Sequence, residues 1–458
     1  MEKTQIKDFT KGNITKQLVS FAWPLFLANL LQVVYNMVDM VVVGQTLGKT
    51  GTSAVSVGGD VAHLLTFVAM GFSSAGQVII AKYIGAGKRE KIGRFIGTMS
   101  AFLFYAAAII SVMAIVFRHQ LLSLMNTPSE AYSGALEYSV ISMAGLVFIY
   151  GYNAVSAILR GMGDSKHPFI FIAIAALLNV VLDIVFVIGF GMGSGGAAFA
   201  TVTSQAVSFI CCVVFLVRKR SEFSLAVKLR DFIVPDREML SDLVKLGTPM
   251  AIKTAAIQFS KLFVNSWING YGVAVSAFAG IANKVSNIAN LISAAMNVAG
   301  STMVGQNIAA KEYGRVKKIL LNIAAISLGV AAVFSALISI FPNQIFAFFT
   351  SEGDSDVLAL TSGYIPIAIL LFLASAMRSI MNALLNGSGN YKINFVTAIL
   401  DGIVMRIGLS LLFGLALEFE YYGFWLGDAI AGFTPFFIGV VFYFSGVWRK
   451  EKNTQSGT

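Results

Sequence analysis

The sequence predicts an all-α polytopic membrane protein, in which twelve transmembrane helices form two homologous lobes of six. Its 458 residues are 57% hydrophobic and only 12% charged, whereas soluble domains carry about 25% charged residues. Twelve segments reach the roughly 20 apolar residues that a helix needs to cross a bilayer. Three sequence matches at nearly one spacing indicate that the second half of the chain repeats the first.

The predicted membrane spans follow one another with short connections, and their ends are placed to within a few residues. They cover 15–45, 53–81, 92–117, 131–159, 167–190, 194–217, 240–270, 273–308, 316–341, 358–385, 392–417 and 421–448. An even number of spans places both termini on the same side of the membrane.

The basic residues lie mostly on one predicted side. Of 33 Lys and Arg, 26 fall in the N-terminal tail, the C-terminal tail and the loops after even-numbered spans, whereas only Lys49 and Arg118 fall in loops on the opposite side. The positive-inside rule therefore predicts cytoplasmic termini, and we expect the chain in the plasma (cytoplasmic) membrane. The net charge of +10 follows this asymmetry and gives no reason to expect a nucleic-acid partner.

The internal repeat predicts the domain organisation. Residues 17–24 (QLVSFAWP) match 242–249 (DLVKLGTP), 81–91 (AKYIGAGKREK) resemble 305–315 (GQNIAAKEYGR), and 159–166 (LRGMGDSK) match 385–392 (LNGSGNYK). An offset of six helices with unchanged orientation predicts a parallel repeat. The predicted lobes are 1–217 and 240–458, joined by a basic cytoplasmic linker at 218–239, and we expect a substrate in the cleft between them.

A proline falls inside the first helix of each predicted lobe, at Pro24 and Pro249. Proline removes one backbone hydrogen bond and favours a kink. The sequence leaves open whether each is a static bend or a moving hinge.

Two carboxylates, Asp39 and Asp183, lie in segments otherwise apolar enough to cross the membrane. Tyr35 lies four residues before Asp39, and Asn179 four residues before Asp183, so each pair shares one helix face. A rise of about 1.5 Å per residue places both acids in the outer half of the membrane, with Thr201 at a similar depth. An ionisable residue at this depth marks an ion path or a substrate contact by default.

These side chains present oxygen atoms, which suit Na⁺ or a proton. Two close carboxylates in a low dielectric cannot easily both stay charged, so we expect one of them to hold a proton or share a cation. The alternative is a buried structural network. Further candidates for lining a polar cavity are Gln32, Asp60 and Asn153.

The motifs around these residues resemble the MATE (multidrug and toxic compound extrusion) transporters. They are YNMVDMVVVG (35–44), AKYIGAGKRE (81–90), LRGMGDSKHP (159–168) and LNVVLDIVFVIGFGMGSGGAAFATVTSQ (178–205), and the resemblance covers essentially the whole chain. It implies a V-shaped bundle of two lobes, alternating access, and export of organic, often cationic, amphiphiles driven by Na⁺ or H⁺. ATP is not expected as the energy source, since no GxxxxGK[ST] motif is present.

The resemblance also implies roles for individual residues. The family's N-lobe ion site corresponds to Asp39, Asn179, Asp183 and Thr201, while Tyr35 and Gln32 fall at cavity-lining positions. The pattern favours the DinF-like branch, in which the bend at Pro24 is proposed to change with protonation. The NorM-like branch has an acid in helix 7, where this chain reads PMAIKTAAIQFSK, with Gln258 and Lys261 as cavity candidates instead. A C-lobe cation site of the NorM type is therefore not expected.

The second half carries an excess of basic residues within its predicted spans. Lys253, Lys261, Lys284, Arg378 and Arg406 stand against Asp401 and Asp428. Two interpretations remain open at this stage. The basic residues pair with the acids or with backbone carbonyls and hold the lobe together, or they line a cavity that suits anionic or zwitterionic substrates.

The sequence thus predicts a monomeric secondary transporter for small organic compounds, and not an enzyme. The only expected ligand besides the substrate and the bilayer is the coupling ion, H⁺ or Na⁺; no cofactor or other metal is expected. A flippase for lipid-linked oligosaccharides is the alternative, which the basic residues of the second half leave open. A membrane sensor or scaffold is disfavoured because the chain offers no sizeable soluble domain.

Overall fold

Helices account for the regular structure of the chain. The computed structural model describes residues 6–125, 127–223, 229–349 and 355–449, and these contain no β-strand. The helices of the first half are α1 (Ile14–Gly85), α2 (Glu90–Val116), α3 (Arg118–Leu124), α4 (Tyr132–Ala144), α5 (Leu146–Gly161), α6 (Lys166–Asp183) and α7 (Gly193–Arg218). Those of the second half are α8 (Arg237–Asn269), α9 (Val273–Ala309), α10 (Tyr313–Ile340), α11 (Pro342–Ala347), α12 (Ser355–Ala359), α13 (Thr361–Gly387), α14 (Tyr391–Ile399), α15 (Met405–Leu411), α16 (Glu420–Ala431) and α17 (Thr434–Ser445).

Short turns of other helix types complete these elements. Ile184–Gly189, Leu400–Val404 and Leu412–Ala416 form π-helical turns that continue a membrane helix, and Leu229–Phe232 and Val447–Arg449 are 3₁₀ turns. A π turn holds an extra residue and rotates the side chains beyond it, and such turns occur frequently at functional sites.

The helices account for the twelve predicted spans. In the described part of the chain, nine helical runs, among them the kinked α1, are long and apolar enough to cross a membrane, and α4 with α5 forms a further span bent by 49°. The 72-residue α1 supplies two spans, and α8 contains the predicted seventh span, which is polar for a membrane helix because it carries Lys253 and Lys261.

The connection between the first two spans differs from the prediction. The sequence predicts a loop between 45 and 53, but α1 runs through this region and departs from helical backbone angles at a single residue, Gly48, with φ 65° and ψ −157°. Glycine adopts a positive φ without the steric penalty of a Cβ atom. One glycine therefore turns the chain where a longer loop was expected.

The described chain packs into two compact units. The N-terminal unit comprises Trp23–Ala251 with residues 6–8, and the C-terminal unit comprises Phe9–Ala22 with residues 252–449. Within the N-terminal unit, α7 packs against α4, α5 and α6; within the C-terminal unit, α13 packs against α9 and α10.

The chain passes between the units close to two prolines. The crossings fall between Ala22 and Trp23 and between Ala251 and Ile252. Pro24 and Pro249 lie within two residues of these crossings, inside α1 and α8.

The segment before α8 packs on the N-terminal unit. Arg94 on α2 forms a salt bridge of 2.7 Å with Asp236, and Thr98 Oγ1 accepts a hydrogen bond of 3.1 Å from the Asp236 N–H group. These contacts explain why the compact unit extends beyond the linker into α8.

The start of the chain packs on the C-terminal unit. The Phe9 N–H group donates to Gln306 Oε1 at 2.8 Å, and the Arg315 guanidinium donates to the carbonyl oxygens of Phe9 and Gly12, each at 3.0 Å. Phe9 is buried, with 1% of its surface exposed.

Equivalent positions of the sequence repeat form the same local structure. Asp164 Oδ1 accepts hydrogen bonds from the second and third backbone N–H groups after it, at 3.1 and 3.2 Å. Asn390 Oδ1 does the same at 3.1 and 3.3 Å. Each side chain caps the helix that follows by satisfying N–H groups that have no partner within the helix.

Candidate functional site

Asp39 and Asp183 come together in the N-terminal unit. Asp39 lies on the first length of α1, and Asp183 is the last residue of α6, where the π turn Ile184–Gly189 begins. Their side chains interact directly. Asp39 is 9% exposed and Asp183 is fully buried.

The carboxyl groups lack the hydrogen-bond donors that buried acids normally have. Both oxygens of Asp183, Oδ1 of Asp39 and Oδ1 of Asn179 are buried without a hydrogen-bond partner among the described residues. An ionised carboxylate can only accept hydrogen bonds, so a bond between two acids requires a proton on one of them. The alternative is a cation that both oxygens bind. The site therefore has the chemistry of a place for one proton or one small cation.

Asn179 and Thr201 complete the predicted group. Asn179 lies one turn before Asp183 and is 3% exposed. Its Nδ2 donates to Thr201 Oγ1 at 3.4 Å, and the Thr201 hydroxyl donates to the Ala197 carbonyl oxygen on α7 at 3.1 Å. These bonds leave the Asn179 carbonyl oxygen free to bind a cation.

Tyr138 on α4 is a member of this group that the sequence reasoning did not identify. Its hydroxyl group interacts with Thr201, and it lies within electrostatic range of Asp39 and Asp183. The ring packs on Gly58, where an added Cβ atom would lie 2.6 Å from a ring carbon. Gly58 is the one indication in the sequence, because a glycine allows the ring to approach. The fourth span contains several tyrosines, however, and nothing in the sequence distinguishes Tyr138 from the others.

Tyr35 and Gln32 lead away from the acids along α1. Tyr35 lies one turn before Asp39 and is half-buried, and its hydroxyl group interacts with the exposed Gln32. These side chains form a polar stripe on the helix face that carries Asp39.

The remaining polar candidates of the first half lie in other surroundings. Asp60 is exposed, and its titratable neighbour is His63. The Asn153 amide donates to the carbonyl oxygen of Ile149 in its own helix at 2.8 Å.

A recess of about 530 Å³ begins one residue beyond Asp39. Its lining residues are mostly small but present a mainly apolar surface, and they are Met40, Gly44, Gly48, Lys49, Thr52, Ser53 and Ser56. It surrounds the point at which α1 turns.

The C-terminal unit contains a buried ion pair. Arg406 is 1% exposed; its guanidinium lies 3.2 Å from fully buried Asp401 and contacts Asp428 more closely. Asp401 lies within the π turn Leu400–Val404. Arg406 therefore fits the first interpretation, in which a basic residue pairs with acids and holds this part of the chain together.

The other basic side chains have neutral partners or none. Lys253 Nζ donates to Asn382 Oδ1 at 2.7 Å, and Arg378 Nε donates to the Gly432 carbonyl oxygen at 3.3 Å. Lys261 makes no hydrogen bond or salt bridge with the described residues, although Asp428 and Arg406 lie within electrostatic range. Gln258, on the turn of α8 before Lys261, is half-buried.

Lys284 lies apart from this group. It is exposed on α9, and its ammonium group lies 5.9 Å from the ring centre of Phe349. The described residues contain no group of three or more His, Cys, Asp or Glu side chains that could hold a metal ion.

Two repeated sets of membrane helices, each with ionisable side chains in its interior, define an integral membrane transport protein. The family model MatE matches residues 24–185 and again residues 249–412, and the chain belongs to this family of transporters. The two matches start 225 positions apart, at Pro24 and Pro249. They confirm the duplication predicted from the sequence.

Known proteins of this kind match the chain over nearly its full length. "Probable multidrug resistance protein YoeA" of Bacillus subtilis (strain 168) is 27% identical over 450 residues, which are 97% of this chain and 96% of the relative. A crystal structure of MATE in complex with MaL6 superposes with a TM-score of 0.90 at 23% identity, covering 98% of this chain and 100% of the other.

A second solved structure is that of a MOP superfamily transporter from Pyrococcus furiosus Vc1 (DSM3638), reported with a binding pocket of reverse polarity that suggests a different function. It superposes with a TM-score of 0.89 at 22% identity and covers 98% of this chain and 100% of its own. These superpositions confirm the predicted fold class of twelve membrane helices in two homologous halves.

Proposed function

We propose that this protein is a secondary active exporter of small organic compounds, driven by the inward movement of H⁺ or Na⁺. One observation carries the proposal: the buried carboxyl groups of Asp39 and Asp183 interact, and both oxygens of Asp183 and Oδ1 of Asp39 have no hydrogen-bond donor among the described residues. The naming of relatives such as YoeA as multidrug resistance proteins supports organic compounds as the cargo.

The coupling ion binds to the group formed by Asp39, Asn179, Asp183 and Thr201. A proton shared between the acids removes one of two like charges that repel strongly in a low dielectric. A sodium ion achieves the same by binding the carboxylate, amide and hydroxyl oxygens, which are hard ligands.

Ion and cargo act on one conformational equilibrium. A ligand shifts such an equilibrium only through its different affinity for the two states. Ion binding from outside favours the state that releases cargo, and ion departure to the cytoplasm resets the carrier. The polar stripe of Tyr35 and Gln32, next to Asp39, is the part of the cargo cavity that senses the ion.

The two prolines are the hinges of this cycle. The chain passes from one compact unit to the other within two residues of Pro24 and of Pro249. A proline within a helix lacks one hydrogen bond, so the helix bends there at lower cost. Asp39 lies about four turns beyond Pro24 on α1, so a single helix connects the ion site to one hinge.

The orientation follows from the basic residues. Both termini and the 218–239 linker lie in the cytoplasm, and the protein works as a monomer in the plasma membrane. In this orientation the turn of α1 at Gly48, with the recess around it, faces outward.

Dye efflux from proteoliposomes tests the proposal. The cationic dye rhodamine 6G and the anionic dye sulforhodamine B share a xanthene core and form a matched pair of probes. We expect transport of at least one dye when a H⁺ or Na⁺ gradient is imposed, and none without a gradient. Transport of neither dye, in liposomes whose protein is shown to be folded, would argue against a multidrug exporter.

A further inference from the structure

The membrane helices of the C-terminal unit contain more positive than negative charge. In α8 from residue 252 onward, in α13, and in residues 394–416 and 421–431, the basic side chains are Lys253, Lys261, Arg378 and Arg406, and the acidic ones are Asp401 and Asp428. Charges within a membrane are costly unless they are paired. The two surplus positive charges therefore require an explanation.

Arg406 uses both of the acids. It is 1% exposed and contacts fully buried Asp401 and Asp428. Two carboxylates around one guanidinium leave a net charge of one negative unit, which the other three basic residues experience only at electrostatic range, without direct contact. Only Asp428, whose side chain is 24% exposed, lies at the accessible edge of this network.

The partners of the other basic residues do not neutralise them. An amide oxygen, from Asn382, binds Lys253, and a backbone carbonyl oxygen, from Gly432, binds Arg378. The terminal nitrogens of Arg378 make no hydrogen bond with the described residues. Lys261 has only electrostatic neighbours.

Lys261 and Arg378 are accessible, whereas Lys253 is buried, with 9% of its surface exposed. Lys261 and Arg378 are half-buried, as is Gln258 one turn before Lys261. Their donors can therefore be reached by a ligand, and acyl chains offer them no hydrogen-bond acceptors.

We propose that Lys261 and Arg378 bind an oxyanion, a carboxylate, sulfonate or phosphate group on an otherwise apolar molecule. The planar fork of Arg378 binds two oxygens of such a group at once, whereas Lys261 acts as a point charge with three donors. Gln258 adds an amide donor at the rim, and Lys253 contributes positive potential from behind. The binding site itself does not depend on the proposed export function, because binding is measured without transport. Only the statement that the ligand is the cargo rests on that function.

Direct binding of sulforhodamine B tests the site. The full-length protein is reconstituted into nanodiscs of phosphatidylcholine, without an ion gradient, and dye binding is followed by fluorescence anisotropy. We expect Lys261→Gln and Arg378→Gln each to weaken sulforhodamine B binding by about tenfold or more, since each removes a charge-assisted hydrogen bond. Rhodamine 6G binding is not weakened by either substitution. Lys284 is a basic residue of the same unit that lies apart, against Phe349. Lys284→Gln is therefore the matched control and leaves sulforhodamine B binding unchanged.

Lys261→Arg keeps the positive charge, so it retains most of the binding if the dye recognises that charge. Retained binding in this variant shows that a substitution at this position does not itself unfold the site. Unchanged sulforhodamine B affinity in both glutamine variants, or equal losses for both dyes, would overturn the proposal. Sulforhodamine B binding is measured without a gradient and without transport, so dye binding that depends on Lys261 and Arg378 in a protein that shows no ion-driven transport would support the site while contradicting ion coupling.

A competition experiment identifies the source of the oxyanion. Benzenesulfonate is added in solution, and in a second experiment phosphatidic acid is incorporated into the nanodisc. Displacement of sulforhodamine B by benzenesulfonate alone supports a soluble organic anion as the cargo. Displacement by phosphatidic acid supports the same oxyanion site with a lipid phosphate as its ligand. Displacement by neither contradicts an oxyanion site.

Discussion

The side chain of Asp39 on α1 meets that of Asp183 at the end of α6, and neither oxygen of Asp183 has a hydrogen-bond donor in the described structure. Buried polar atoms are almost always hydrogen-bonded, so a buried oxygen without a donor requires an explanation. Here a proton or a small cation supplies the missing partner. Its arrival and departure change the charge inside the N-terminal unit.

The first prediction concerns the acids themselves. Asp39→Asn and Asp183→Asn should each abolish gradient-driven dye efflux from proteoliposomes, because an amide neither releases a proton nor provides a negative charge for Na⁺. The variants should fold normally, since an amide is close in size to a carboxyl group and removes the like-charge repulsion. Glu130→Gln, at an exposed loop position, is the control and should transport as the wild type does.

Thr201→Val tests the oxygen ligands separately from the acids. The substitution keeps the shape but removes the hydroxyl group that accepts from Asn179 and donates to Ala197. If the hydroxyl contributes to the ion site, efflux persists but requires about tenfold more of the coupling ion. Thr203→Val on the same helix is the control. An ion requirement identical in the two valine variants would remove Thr201 from the site.

The proline substitutions test the hinges. Pro24→Ala and Pro249→Ala restore a helix hydrogen bond at the two crossings between the compact units, and each should slow efflux with little effect on dye affinity. Pro366 also lies inside a membrane helix, α13, but far along the chain from either crossing. Pro366→Ala should therefore transport at the wild-type rate. Equal slowing in all three variants would mean that helix flexibility in general, rather than these hinges, limits transport.

Arg406→Met tests the buried ion pair. Removing one partner leaves Asp401 buried and unpaired, which costs about 3–5 kcal/mol. We expect a marked fall in the thermal unfolding midpoint of the purified protein, and partial recovery when Asp401→Asn and Asp428→Asn are added. Lys284→Met is the control and should change the midpoint little. An unchanged midpoint in Arg406→Met would show that the pair contributes nothing to stability.

The repeated helix caps give a matched pair of substitutions. Asp164→Ala and Asn390→Ala each remove a side chain that accepts two backbone hydrogen bonds at the start of a helix. Each should destabilise the protein by about 1 kcal/mol, measured as a shift in the thermal unfolding midpoint. Asp164 also contacts the His167 ring nitrogen at 2.5 Å, so its substitution should cost more. A larger cost for Asn390→Ala would contradict this ranking.

Much of the N-terminal site could be predicted from the sequence, because a carboxylate in an apolar span is rare and stands out. Helical spacing linked Asn179 to Asp183, and the rise per residue placed Thr201 at their depth. Tyr138 could not be found in this way. Its role depends on how α4 packs on Gly58, and the pattern of apolar residues does not determine that packing.

The details of helix geometry were also beyond the sequence. The π turn that begins after Asp183 has the composition of an ordinary membrane helix, and the turn at Gly48 replaces a predicted loop. The basic residues of the second half had two open interpretations. Pairing depends on the rotation of each helix, and the structure pairs Arg406 while Lys261 has no hydrogen-bonded partner in the part of the chain that is described.

The central claim is that Asp39 and Asp183 carry the coupling ion, and ion flux tests it most directly. Proteoliposomes report cation entry with an internal indicator while a H⁺ gradient and a Na⁺ gradient are imposed separately. The account predicts that one gradient drives dye export with matching cation entry, and that both fluxes disappear in Asp39→Asn and Asp183→Asn. Cation-coupled export that continues at the wild-type rate in both variants would contradict it.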